Sequence, residues 1–320
     1  MGDRNSEYVL AADLGGTNMR IGIVDREGNI LARERGETPS VGSPLDIADT
    51  IAALTKELLD SFEYSDSISM FGLAIPAVID FSSGKISIAP NLPQLDRTDL
   101  SGEVESLTGL NVVLENDATA AAIGEHWLGA AKGTSNAICI TLGTGVGGGL
   151  IINNKPFSGA DGTAGEIGHI CVEPEGPKCG CGSRGCIEQF ASATAIVRIV
   201  KERMDAQTQK DFGEITAKHV HDAAVDGDAI ALSVFETVGY YLGIAFADLV
   251  NVLNPEVIAV AGGAAASFDL FMPMANSEMR KRAFQQPAER VKIVRGLLGD
   301  DAGILGAAKK AFDQADKRSI

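Results

Sequence analysis

Basic residues are scarce in this chain. Lys and Arg number 27 against 43 Asp and Glu in 320 residues, a formal charge of -16 with a pI near 4.7. That balance argues against non-specific binding to nucleic acid or to an anionic membrane. It leaves phosphorylated small molecules open, because backbone N–H groups and a metal hold phosphate without a basic patch. No apolar run reaches the roughly 18 residues expected of a membrane span, and the polar start MGDRNSE lacks the apolar core of a signal peptide. A cytoplasmic protein with no membrane partner is expected. Cysteine is sparse and odd in number, at five, with three crowded together. This speaks against a disulfide framework and for metal ligation in a reducing compartment. No GxxxxGK[ST] occurs, which excludes a P-loop. Gly145-x-Gly147-x-x-Leu150 does not complete GxGxxG and leads into a strand, which argues against a Rossmann dinucleotide site.

What is present is an ordinary globular composition, 45% hydrophobic, over a length that suggests two domains. Apolar runs and alternation predict strands at 8–14, 20–24, 29–33, 68–75, 111–115, 136–142, 150–152, 257–261 and 291–294. A hairpin is expected at 78–80 and 85–88 around Ser82-Ser83-Gly84. Helical spacing predicts helices at 43–62, 100–108, from Asn116-Asp117 to about Trp127, at 192–204, 215–225 and 228–253, after Gly263 to about Phe284, and at 302–313. Alternating strands and helices imply an α/β protein with antiparallel edges. The opening strand–Gly–strand pattern recurs, Leu14-Gly15 matching Leu142-Gly143, which suggests an internal repeat.

Three Gly-rich turns follow strands: Asp13-Leu14-Gly15-Gly16-Thr17, Gly143-Thr144-Gly145 and Gly262-Gly263. Glycine lets backbone N–H groups approach phosphate closely, and Thr17 and Thr144 add hydroxyls. Asp13, at a strand end, could orient a hydrated Mg²⁺. Any one such turn is more often a plain hairpin; the combination is similar to the phosphate 1, phosphate 2 and adenosine arrangement of the actin-like (ribonuclease H-like) ATPase fold. Asp117 follows a strand and precedes a helix. It can serve as an N-cap, or as the base that accepts an alcohol's proton in phosphoryl transfer, and the two roles are compatible.

His169, Cys179, Cys181 and Cys186 have the donor types and spacing of a closed, structural zinc site, bracketed by Glu166 and Glu188. Buried free thiols are the competing reading, but a polar Gly/Arg loop makes a poor core segment. Cys139 and Cys171 lie in apolar strands and are expected in the core. His126, His219 and His221 receive no role.

The set Asp13-Leu14-Gly15-Gly16-Thr17, Glu115-Asn116-Asp117, LGTGVGGG (142–149), AGEIGH (164–169) and CGCGSRGCIE (179–188) resembles the ROK family of sugar kinases and repressors, over nearly the whole chain. The resemblance implies two domains, residues 1–116 plus 303–320 and residues 117–302, with a cleft between them. It implies that Asn91, Asn116, Asp117, Glu166, His169 and Glu188 contact sugar hydroxyls and that Asp117 is the general base on the 6-hydroxyl. His169 would hold zinc with one ring nitrogen and sugar with the other. ATP would lie on the Gly-rich turns with Mg²⁺. An aromatic common after the family's Asn-Leu-Pro loop is replaced here by Gln94-Leu95. Family repressors carry a helix-turn-helix segment before the kinase-like core, for which the seven residues ahead of the first strand leave no room. The expected activity is phosphorylation of a hexose, glucose first. N-acetylmannosamine, fructose or mannose as substrate, polyphosphate as donor, and a sugar sensor without turnover are the alternatives. A homodimer or homotetramer is implied.

Overall fold

The computed structural model describes residues 7–80, 83–204 and 214–318; Ser82 of the expected hairpin turn lies outside them. Two five-stranded sheets dominate. The first has the order β3-β2-β1-β4-β7 and comprises β1 (Tyr8–Leu14), β2 (Asn18–Asp25), β3 (Ile30–Glu37), β4 (Met70–Ile75) and β7 (Asn111–Asn116). The hairpin β5 (Val78–Asp80) and β6 (Lys85–Ile88) stands apart from it. The second sheet, β10-β9-β8-β11-β12, comprises β8 (Ala137–Leu142), β9 (Val146–Ile152), β10 (Lys155–Pro156), β11 (Val257–Ala261) and β12 (Lys292–Arg295). In both sheets the first three strands of the copy form an antiparallel meander and the last two pair in parallel. The suggested repeat is therefore a repeat of topology, with β1 matched by β8 and β7 by β12.

Period-two alternation lets each sheet bury both faces. Leu10 and Ala12 of β1 pack with α1 (Pro44–Ser61) and α2 (Leu100–Thr108), while Val9 and Ala11 face α10 (Ala302–Arg318). In β8, Ile138 and Ile140 pack with α7 (Ala229–Leu253), while Ala137 and Cys139 face α3 (Asp117–Trp127). Between them along the chain run α4 (Glu188–Ala191), α5 (Ala193–Arg203), α6 (Ala217–Val225), and after β11, α8 (Phe268–Arg282) and α9 (Gln285–Arg290). By length and composition α7 could cross a membrane, a feature that counting uninterrupted apolar runs misses because Glu236 and Asp248 divide it. Half of its most apolar window is buried, and it packs along α8, as a core helix does.

The chain passes between the sheets twice. It leaves the first through α3, which lies on β8 and β9, and returns through α10, which lies on β1 and β4. The two crossing helices touch closely: a Cβ on Gly306 would stand 1.7 Å from the Ala120 carbonyl oxygen, and one on Gly124 would stand 2.4 Å from that of Ala302. Gly306→Ala should lower stability by about 1–3 kcal/mol, the range for overpacking, read as a lower urea midpoint at unchanged slope. The fully buried Glu125, near the end of α3, accepts N–H bonds from Ala130 (2.7 Å), Leu297 (3.1 Å) and Leu298 (3.0 Å). It fastens one crossing to the other, its charge satisfied by backbone donors.

One expectation fails here for a clear reason. The strand expected at 150–152 begins at Val146, so Gly147, Gly148 and Gly149 lie inside β9. Cβ atoms there would meet Ala118 at 2.8 Å, the Gly165 carbonyl oxygen at 2.6 Å and Ala122 at 2.5 Å. Three successive glycines let α3 and the 165–168 segment lie against the strand from opposite sides.

Candidate active site and metal centre

The first two Gly-rich turns occupy matching places, at the ends of β1 and β8. Gly15 N–H bonds back to the Asn18 carbonyl (2.9 Å), and Thr38 braces the turn, its hydroxyl donating to the Gly15 carbonyl and its N–H to that of Thr17 (both 2.8 Å). Asn91 lies beside Gly16, 3.8 Å from where a Cβ would stand. The second turn is held by the start of α5: Ala193 N–H bonds to the Gly143 carbonyl and the Thr194 hydroxyl to that of Thr144, both 2.8 Å. Gly262 has φ +85 and would place a Cβ 2.6 Å from the Leu142 carbonyl oxygen, so this position demands glycine. The third turn thereby abuts the second. A Cβ on Gly143 or Gly263 would face open space, and Gly143 N–H closes the second turn on the Gly145 carbonyl at 3.0 Å.

Asn116, not Asp117, is the N-cap of α3: its Oδ1 accepts from Thr119 N–H at 3.0 Å. Asp117 is the first helical residue, and its Oδ1 accepts from Ala118 N–H (2.8 Å) and Asn116 Nδ2 (3.2 Å). Burial raises its carboxyl to about 7 against the Ala118 N–H, which lowers it; Asp13 and Glu166 push it further up. Asp13 is raised to about 6 by burial, opposed by Arg20 and reinforced by Asp300. Three carboxylates thus share one electrostatic environment. Glu115, just ahead, is buried and paired with Lys310 of α10 at 2.7 Å, which anchors the strand end carrying Asp117.

Glu166 caps the start of the short turn Ile167–His169, and His169 ends it. His169 Nε2 lies 3.9 Å from Glu166 Oε2, while Nδ1 lies 3.7 Å from Cys179 Sγ. Glu188 opens α4; its Oε2 accepts from Val146 N–H at 3.1 Å and fills the space beside Gly145, and its Oε1 lies 3.7 Å from Cys179 Sγ. The glutamate thus spans the cysteine loop and the second Gly-rich turn.

The donor atoms of His169, Cys179, Cys181 and Cys186 all lie within 4.8 Å of one another. Cys181 and Cys186 sulfurs are 3.7 Å apart, close to the roughly 3.8 Å edge of a tetrahedron with Zn–S bonds of about 2.3 Å. Burial, with the thiols of Cys179 and Cys181 beside it, pushes the Cys186 thiol up to about 12, so an ionised sulfur there calls for a cation. The donor set fits zinc in type, number and spacing.

Cys139 is buried as expected, but Cys171 is exposed. It stands opposite Cys186 in an isolated two-residue bridge outside both sheets, so its apolar neighbours do not enclose it. The other histidines are structural: His126 bonds the Thr134 carbonyl (2.7 Å), His219 the Thr216 N–H (3.3 Å) and His221 the Ser267 hydroxyl (2.9 Å). Thr38, Thr194 and Lys310 were not legible as site supports, since each acts on a residue remote in sequence.

Residues 9–313 match the model of the ROK family. A glucokinase of Halalkalibacterium halodurans is 38% identical over 317 residues, covering 96% of this chain and 94% of that protein. A glucokinase of Thermotoga maritima is 35% identical, covering 94% and 96%. Among solved structures, a ROK family glucokinase from Streptomyces griseus, in complex with glucose and AMPPNP, superposes with a TM-score of 0.82 at 35% identity, covering 96% of this chain and 99% of that one.

Proposed function

This chain belongs to the ROK family and is a hexose kinase of the actin-like ATPase fold, and on that premise we propose that it transfers the γ-phosphoryl group of ATP to the 6-hydroxyl of glucose. The observation that carries the reading is Asp117: a carboxylate at a strand–helix junction, relieved of capping by Asn116 and raised to about 7. Such a group is half ionised near neutral pH, where a general base is most useful. Glucokinase relatives support glucose as the sugar.

In the proposed reaction Asn91, Asn116, Glu166, His169 and Glu188 hold the sugar hydroxyls, and Asp117 accepts the 6-hydroxyl proton as that oxygen attacks phosphorus in line. The N–H groups around Gly15, Gly16, Thr17, Gly143, Thr144 and Gly145 cradle the phosphates, with Gly262 and Gly263 toward the nucleoside. Asp13 would hold Mg²⁺, which supplies charge neutralisation for the phosphates. His169, Cys179, Cys181 and Cys186 would hold zinc, which supplies a fixed point for the His169 ring. We place the division between the moving parts at residues 1–116 plus 303–320 and 117–302. Glu125, which joins the two crossings, then sits at the hinge, and closure would exclude water from the phosphates.

A coupled assay over a sugar panel with ATP, GTP and polyphosphate tests the reading. Glucose with ATP should give the highest kcat/KM; lack of turnover with every pair would leave a sugar sensor in its place. The pH profile gives a second check. The base must be deprotonated, so kcat/KM should fall about tenfold per pH unit below about 7 and level off above it. A profile flat down to pH 5 would assign the proton to another acceptor. Light scattering should report a homodimer or homotetramer.

A further inference from the structure

Cys171 has no part in the proposed chemistry, yet it stands in an informative place. Val172 N–H bonds the Gly185 carbonyl at 2.8 Å and Ile187 N–H bonds that of Ile170 at 2.9 Å. These two bonds flank the Cys171–Cys186 bridge. Cys171 and Cys186 are therefore a non-hydrogen-bonded antiparallel pair, the kind with Cα atoms about 4.5 Å apart and side chains on one face. Disulfides accept Cα separations of about 4.4–6.8 Å. Cys171 is exposed, while Cys186 is fully buried and turned toward Cys181 in the four-donor cluster. One candidate zinc ligand thus has an accessible thiol as its cross-strand neighbour.

We propose that Cys171 is a peroxide-reactive thiol whose oxidation draws Cys186 out of the four-donor cluster into a Cys171–Cys186 disulfide. In the first step the Cys171 sulfur attacks hydrogen peroxide. An S–O bond forms, the O–O bond breaks, and the leaving hydroxide takes the thiol proton as water. In the second, the Cys186 sulfur attacks the sulfenic sulfur; the S–S bond forms, the S–O bond breaks, and a second water leaves with the remaining proton. Two thiols lose two electrons and one peroxide becomes two waters. The cluster falls from four donors to three, and the ring of His169 loses its fixed point. The bond itself follows from the strand pairing; only the loss of metal and of sugar binding rests on the zinc reading above.

The sequence makes the test direct. Trypsin cuts after Lys178 and Arg184, which puts Cys171, the Cys179/Cys181 pair and Cys186 on three separate peptides. Full-length, zinc-loaded protein is treated with a small excess of hydrogen peroxide, alkylated, digested and mapped by mass spectrometry, while a chromogenic chelator records released zinc. The expected result is a cross-linked Cys171–Cys186 peptide appearing in step with zinc release, both reversed by dithiothreitol and added zinc. Cys171→Ser should keep basal turnover and release zinc at least about tenfold more slowly, since the exposed attacking thiol is gone. Cross-links confined to Cys179, Cys181 and Cys186, or unchanged zinc release from Cys171→Ser, would overturn the proposal. A protein that never binds zinc would sink the zinc reading, and the peptide map would still decide the pairing.

Discussion

Asp117→Asn should lower kcat by about 10²–10⁴-fold, the usual contribution of a positioned general base, and leave the KM for glucose within a small factor. The amide keeps the side chain's shape, and the cap on α3 survives because Asn116 supplies it. What disappears is the proposed acceptor for the hydroxyl proton. The acid limb of the pH profile should disappear with it, because the residual reaction no longer depends on a group raised to about 7. The nearby carboxylates are poor substitutes. Glu166 faces His169, and Asp13 lies at the end of β1 against Gly303 of α10. Steady-state kinetics against glucose and ATP would read both effects. Near-normal turnover in this variant would assign the base elsewhere.

Cys→Ser at position 179, 181 or 186 should cost zinc and activity together. Losing an outer partner of a metal ligand already costs about 10–100-fold in affinity, so losing a ligand should exceed that. Activity should follow through the sugar more than through ATP. The imidazole of His169 points Nδ1 at Cys179 and Nε2 toward Glu166, so a metal on the first nitrogen sets the direction of the second. Without it the KM for glucose should rise well above its wild-type value while the KM for ATP changes little. Metal analysis of the purified variants, beside kinetics, would separate the cases. A zinc-free variant with normal glucose KM would make the cluster a dispensable staple of the 170–188 loop.

Much of the site was legible because it is written in short segments. Strand β1, the helix from Asp117 to Trp127 and strand β11 stand where alternation and periodicity placed them. The donor set His169, Cys179, Cys181 and Cys186 lies within one loop and could be assembled on paper. The misreadings share a cause. The strand was expected only from Leu150 because glycine is a weak strand former, and only the approach of α3 and of Ile167 shows why β9 needs Gly147, Gly148 and Gly149. Cys171 looked buried because its neighbours in sequence are apolar, whereas exposure is decided by what packs over a residue. The capping of α3 by Asn116 was a one-residue ambiguity that backbone geometry resolved. Thr38 and Thr194 were invisible because each braces a turn distant in the chain.

Seen as a pair of shelves, β1 and β8 end in similar Gly-rich turns, with Asp13 on the first where Thr141 stands on the second. The helices that follow β7 and β12 differ as well: one begins with Asp117, the other with Ala302 directly after Asp300-Asp301. Asp117 is buried, whereas Asp300 and Asp301, just ahead of the other helix, are paired with Arg20 and Arg33. In the proposed reaction the buried acid at the start of one helix, and not the shared topology, sets the polarity of transfer from nucleotide toward sugar.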